Sequence, residues 1–79
     1  MDLLRIDMRA RGYALPTERT YLNWIRRFIV FNQRRHPADM GQAEIENYLN
    51  HLAVVGTVSP ATQRTALNAL MYLYTKYLG

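Results

Sequence analysis

Between Leu15 and Arg35 the chain reads LPTERTYLNWIRRFIVFNQRR, and its apolar residues recur at a helical period. Set out at about 100° per residue from Thr17, the residues Tyr21, Leu22, Trp24, Ile25, Phe28, Ile29 and Phe31 fall within roughly half a wheel. The opposite arc holds Arg19, Thr20, Asn23, Arg26, Arg27 and Arg34, with Gln33 at its edge and no acid. Such a stretch must be a helix with one side buried, and the side left outside is cationic and amide-bearing. A chain of 79 residues built around it is expected to be one domain, 1–79, near the lower size limit for a self-sufficient core.

With no cysteine, neither disulfides nor thiolate metal sites can supplement that core. Stability must come from helix packing, and a 49% hydrophobic share with six tyrosines, two phenylalanines and one tryptophan can supply it. A first helix is expected over 2–12, with Leu3, Ile6 and Ala10 on one face, an Asp7–Arg11 pair four residues apart, and Gly12 as its terminator. Pro16 opens the second helix, 17–35, about 27 Å long at 1.5 Å per residue. His36-Pro37 stops it, because a residue before proline is pushed out of the α region.

A third helix, 42–54, follows a turn at Ala38–Gly41, with Gly41 or Asp39 near its cap and Glu44 in its first turn. Ile45, Tyr48, Leu49, Leu52 and Ala53 form its core face. Ser59-Pro60 then starts the fourth helix, 60–78, with serine as cap and proline in the first turn. Ala66, Leu67, Ala69, Leu70, Met71, Leu73, Tyr74 and Tyr77 are its packing residues. The expected fold class is all-α, a compact bundle of four helices.

Ten Lys and Arg against six Asp and Glu give a net charge of +4. Every cation but Lys76 is an arginine, which can grip phosphates and guanine edges in a planar, bidentate way. The distribution says more than the sum. The fourth helix's polar arc carries Arg64, Thr65, Asn68, Tyr72, Thr75 and Lys76, with Thr62 at its other edge, again without an acid. The second and fourth helices together hold Arg19, Arg26, Arg27, Arg34, Arg35, Arg64 and Lys76 against one carboxylate, Glu18, whereas the third has Glu44 and Glu46 and no Lys or Arg. Segregation of this kind steers a protein toward a polyanion. Arg, Asn and Thr also hydrogen-bond both phosphates and base edges, while a merely solvated face usually interleaves Glu with Lys. A solvated surface, or a helical interaction module whose basic face meets an acidic protein, stands as the alternative.

Other chemistry finds little support. His36 and His51 have no Cys or paired carboxylates at ligand spacing, so no metal or cofactor is expected. His51 reads as solvated, and His36 as a helix-terminal charge. Ser59 reads as a cap rather than a nucleophile, and no glycine-rich phosphate loop is present. Tyr21, Tyr48, Tyr74 and Tyr77 fall on core faces, leaving Tyr72 as the exposed tyrosine. No apolar run approaches the roughly 18 residues of a membrane span, and the N-terminus lacks the apolar stretch of a signal peptide.

Four blocks in order, TERTYLNWIRRFIVF at 17–31, HPADMG at 36–41, EIENYLNHLA at 44–53 and TQRTALNALMYLY at 62–74, resemble the tyrosine recombinases of the phage-integrase type, specifically the integron-integrase branch. The likeness covers nearly the whole chain and is to the N-terminal, SAM-like core-binding domain. It implies a bacterial, cytoplasmic, nucleoid-associated enzyme that closes as a C-shaped clamp on duplex DNA, with the second and fourth helices of this domain crossing the major groove. By position, Arg19, Arg64 and Thr65 match places where relatives touch DNA, and Thr20, Asn23, Arg26, Arg27, Thr62 and Asn68 lie on the same faces. The family's catalytic residues belong to a C-terminal domain that the resemblance places after Gly79. The expected partners are therefore double-stranded DNA, linear or as a folded hairpin, and the catalytic domain of the same enzyme, with tetramers only in the full enzyme. This domain is expected to bind DNA and not to cut or join it.

Overall fold

The computed structural model describes residues 2–79, and the helices in it start and stop where local devices satisfy the backbone. They are α1 (Asp2–Ala10), α2 (Leu15–Phe31), α3 (Gln42–Val54) and α4 (Pro60–Met71). A 3₁₀ turn at Pro37–Asp39 precedes α3, and a π-helical segment, Tyr72–Tyr77, continues α4. Among the described residues there is no strand, and the all-α expectation holds.

Gly12 ends α1 as expected. Its φ of 81° is the left-handed conformation that lets its N–H reach Arg9 O at 3.0 Å and the Tyr13 N–H reach Met8 O at 3.0 Å. The same double bond closes α2, where the Gln33 N–H meets Val30 O at 3.0 Å and the Arg34 N–H meets Ile29 O at 2.8 Å. Here the left-handed position is taken by Gln33, with φ 60°, and Arg34 follows at φ 61°. The second helix is therefore Leu15–Phe31 rather than 17–35. It starts earlier because Pro16 fits its first turn, and it stops earlier because this turn captures its last carbonyls. Arg34 and Arg35 are not on its polar face.

At α3 the Gly41 N–H donates to Glu44 Oε1 at 2.7 Å, one half of a capping box, since glycine has no side chain to return the bond. That N–H, the backbone N–H of Glu44 and the nearby Arg35 guanidinium hold the Glu44 carboxyl below its ordinary value of 4.5. Ser59 caps α4 as expected, its Oγ accepting from the Thr62 N–H at 3.2 Å.

The core is built on α2, which packs most extensively against α4. Met8, Ile25, Phe28, Leu70 and Leu73 are its largest fully enclosed side chains, joined by Leu22, Trp24, Tyr48, Leu52, Ala66 and Ala69. The Phe28 ring packs T-shaped with those of Tyr48 and Tyr74 at centroid distances of 5.7 and 6.3 Å. Tyr74 donates its hydroxyl to Pro37 O at 2.7 Å, tying the C-terminal segment to the 3₁₀ turn.

Several expected positions differ. On α1 the buried pair is Leu4 and Met8, while Leu3 and Ile6 are 69% and 64% exposed and Ala10 also faces outward. The helix has two apolar stripes, and the one spaced by a full i,i+4 step faces α2. Ala53, Leu67 and Met71 also lie at the outside of their helices. His51 is half-buried with its ring 4.7 Å from that of Phe31, and His36 accepts from the Ala38 N–H through Nδ1 at 3.0 Å instead of closing a helix.

Tyr72 is the largest reversal: it is 3% exposed. A π-helical segment starts at this residue, and the adjacent Tyr72 and Leu73 both point inward. Its ring packs 5.5 Å from Tyr13 and 6.1 Å from Tyr21. Its hydroxyl lies 2.7 Å from Asp7 Oδ2, and burial, followed by that carboxylate, pushes the phenol far above its ordinary range.

Candidate nucleic-acid interface

The cations divide into two groups by their partners. Arg5, Arg9, Arg11 and Arg35 are engaged by acids: Arg5 by Asp2 and Glu18, Arg9 by Glu18, Arg11 by Asp7 and Arg35 by Glu44. Among the described residues Arg19, Arg26, Arg27, Arg34, Arg64 and Lys76 form no ion pair. The acids that form ion pairs, Asp2, Asp7, Glu18 and Glu44, thus engage only the arginines between residues 5 and 11 and Arg35. The four cations expected to meet DNA, Arg19, Arg26, Arg27 and Arg64, are exposed and form no ion pair among the described residues.

On α2 the helical repeat brings Arg19, Thr20, Asn23 and Arg26 together along one wall of a groove of about 610 Å³. The other wall is α1, which contributes Arg5 and Arg9. Arg27 lies to the side, its guanidinium 5.3 Å from the centroid of the Trp24 ring, a cation–π contact that steadies the side chain without neutralising it.

None of the α4 residues lines this groove. Thr62 accepts from Ser59 Oγ at 3.0 Å, and Thr65 donates to Ala61 O at 3.1 Å, so both hydroxyls also serve the first turn of their own helix. Arg64 lines a separate, shallower depression of about 490 Å³ with Leu49, Ala53 and Leu67. Asn68 is exposed. The four α2 residues therefore share one concavity, whereas the α4 residues lie outside it, with Arg64 beside α3.

Glu18 was legible only as the lone acid of the second helix. It is 4% exposed, and its carboxylate receives Arg9 Nε at 3.2 Å and Arg9 Nη2 at 3.5 Å, with Arg5 Nε at 3.9 Å. A buried carboxylate costs stability unless it is paired and hydrogen-bonded, and α1 supplies that pairing. No buried side-chain polar atom among the described residues lacks a partner. Arg5 and Arg9 are the groove residues that the sequence reading missed. Their i,i+4 spacing was visible, but nothing local tied them to Glu18.

The whole chain, residues 1–79, matches the family described as phage integrase, N-terminal SAM-like domain. Two curated relatives, from Escherichia coli and Pseudomonas aeruginosa, each described as an integrase/recombinase, are 45% identical to it over 78 residues. That alignment covers 99% of this chain and 23% of each relative.

Proposed function

The chain belongs to the phage-integrase N-terminal SAM-like domain family, and from that premise we propose that residues 1–79 form the duplex-DNA-binding domain of a site-specific tyrosine recombinase of the integron type. In this reading it grips the recombination site, while a catalytic domain elsewhere in the parent enzyme carries out strand cleavage and joining. The observation that carries the reading is the partition of charge. Acids pair with Arg5, Arg9, Arg11 and Arg35, leaving Arg19, Arg26, Arg27 and Arg64 without an ion pair among the described residues, on the outer faces of two helices that pack together. Thr20, Asn23, Thr62, Thr65 and Asn68 add neutral hydrogen-bonding groups of the kind that contact phosphates and bases.

About 4–6 phosphate contacts imply a log–log salt slope of roughly −4 to −5. One domain without the opposing half of a clamp should bind near the non-specific range of ~10⁻⁴–10⁻⁶ M. The test is an NMR titration of the chain with duplex DNA. Amide signals of Arg19–Arg27 and Thr62–Asn68 are expected to move together and saturate, with Glu44–His51 unmoved. Saturable shifts with an acidic peptide but none with DNA would replace this reading with a protein-interaction module.

A further inference from the structure

The groove between α1 and α2 has a composition that its helix-packing role does not require. Glu18 at its floor would be satisfied by Arg9 alone, which already contacts both carboxylate oxygens. Arg5 is added to it, and the unpaired Arg19 and Arg26 stand on the facing wall with Asn23 between them. Four guanidiniums thus line a groove that holds one carboxylate. Gathering like charges around a concavity costs stability, and an anion entering it offsets that cost.

We propose that this groove seats a phosphodiester group of the nucleic-acid backbone, with Arg5 and Arg9 of α1 as phosphate ligands beside Arg19 and Arg26. Glu18 is the positioning residue that turns the α1 arginines toward the seat. The inference rests on the DNA-binding reading above and extends the contact surface to a helix outside it. Arg5 and Arg9 lie four residues apart, on one face of α1, and their side chains are 50% and 64% exposed. Each guanidinium has five N–H donors, and Glu18 takes two from Arg9 and none from Arg5 at hydrogen-bonding distance. The remaining donors are available to the groove.

The geometry favours a backbone phosphate over a base edge. Base edges are read by side chains of an element that protrudes into the major groove. Here the donors line a hollow, which a protruding phosphate can enter. Donors arriving from two helices also suit the several oxygens of a phosphate better than the single plane of a carboxylate.

The test uses the 79-residue chain labelled at arginine, following side-chain Nε–Hε signals as duplex DNA is added. The Arg5 and Arg9 signals are expected to shift and saturate with those of Arg19 and Arg26. Movement of α2 and α4 signals with Arg5 and Arg9 unmoved would overturn the inference while leaving the DNA reading intact; no saturable shift anywhere would overturn both. Equal saturation by inorganic phosphate, at the same concentration of phosphate groups, would make the seat one for a free anion and overturn the backbone assignment.

Two variants separate positioning from simple charge. Glu18→Gln raises the net charge, so simple electrostatics predicts tighter DNA binding, whereas loss of positioning predicts weaker binding. A folded Glu18→Gln chain that binds more tightly would overturn the role given to Glu18. Arg5→Gln leaves the Arg9–Glu18 pair in place, so it tests the seat even if Glu18→Gln fails to fold. It is expected to flatten the salt slope by about 0.9, the value of one phosphate contact. An unchanged slope would overturn the assignment of Arg5.

Discussion

Tyr72 donates its hydroxyl to Asp7 Oδ2 across 2.7 Å, and Arg11 Nε meets the same oxygen at 2.8 Å. One carboxylate of α1 therefore organises contacts at both ends of the chain. Both bonds favour its charged form, with Arg11 the larger influence, and hold Asp7 below its ordinary value of 3.8.

A carboxyl group whose folded value is depressed contributes stability above its unfolded value and loses it as pH falls through the folded one. Asp7 and Glu44 both have this sign. Urea midpoints are therefore expected to hold from neutrality down to about pH 4.5, the ordinary Glu44 value, and to fall below pH 3.8. Tyr72→Phe should lower the midpoint at neutral pH, and its deficit should narrow as Asp7 becomes protonated. A deficit that stays constant down to pH 2 would contradict the coupling.

Ile25 is fully buried on the core face of α2. Ile25→Val should cost about 0.5–1.5 kcal/mol by removing one methylene from a packed site. At ~4–8 °C per kcal/mol for a domain of this size, calorimetry should register a drop of several degrees.

Thr57 has a φ of 48°, which a β-branched residue rarely tolerates. Thr57→Gly removes a left-handed cost of about 1–2 kcal/mol and adds a chain-entropy cost of roughly 0.5–1. A net gain of about 0.5–1 kcal/mol is expected from the difference, read as a higher urea midpoint. Destabilisation would show that the hydroxyl bond to Gly56 O, 2.8 Å long, outweighs the strain.

Arg19 and Arg26 form no ion pair among the described residues, so replacing both with alanine should leave the melting temperature nearly unchanged. Their joint loss should weaken duplex binding and flatten the salt slope by about two, at roughly 0.9 per phosphate contact. Fluorescence anisotropy at several salt concentrations reads this directly. An unchanged slope would remove the α2 face from the interface.

The readable parts of the fold were those governed by neighbours in sequence. Gly12 and Ser59-Pro60 act within a few residues of themselves, and Trp24, Ile25 and Phe28 follow one helix's own period. The parts that were not readable depend on distant partners. Leu3 and Leu4 stand equally well on an isolated α1, and only docking on α2 chooses between them. Gln33 and Arg34 carry no glycine to announce a left-handed turn. Tyr72 is enclosed by Tyr13, Tyr21 and Asp7, all more than fifty residues away in the sequence. For the candidate interface, the α2 and α4 residues were visible as acid-free arcs. Arg5 and Arg9 were not, because their link to the surface runs through Glu18, nine residues from Arg9.

Arg11 also reaches across to the far end of the chain, its Nη2 donating to Lys76 O at 2.8 Å. A ribosome releases α1 well before the π-helical segment: the Lys76 carbonyl that accepts from Arg11 and the Tyr72 hydroxyl that donates to Asp7 each follow their partner by 65 residues. During synthesis α1 can meet α2 early, through Glu18, but it cannot complete its polar contacts until the C-terminal turn has emerged. Within this domain α1 is thus made before the segment that completes its polar contacts.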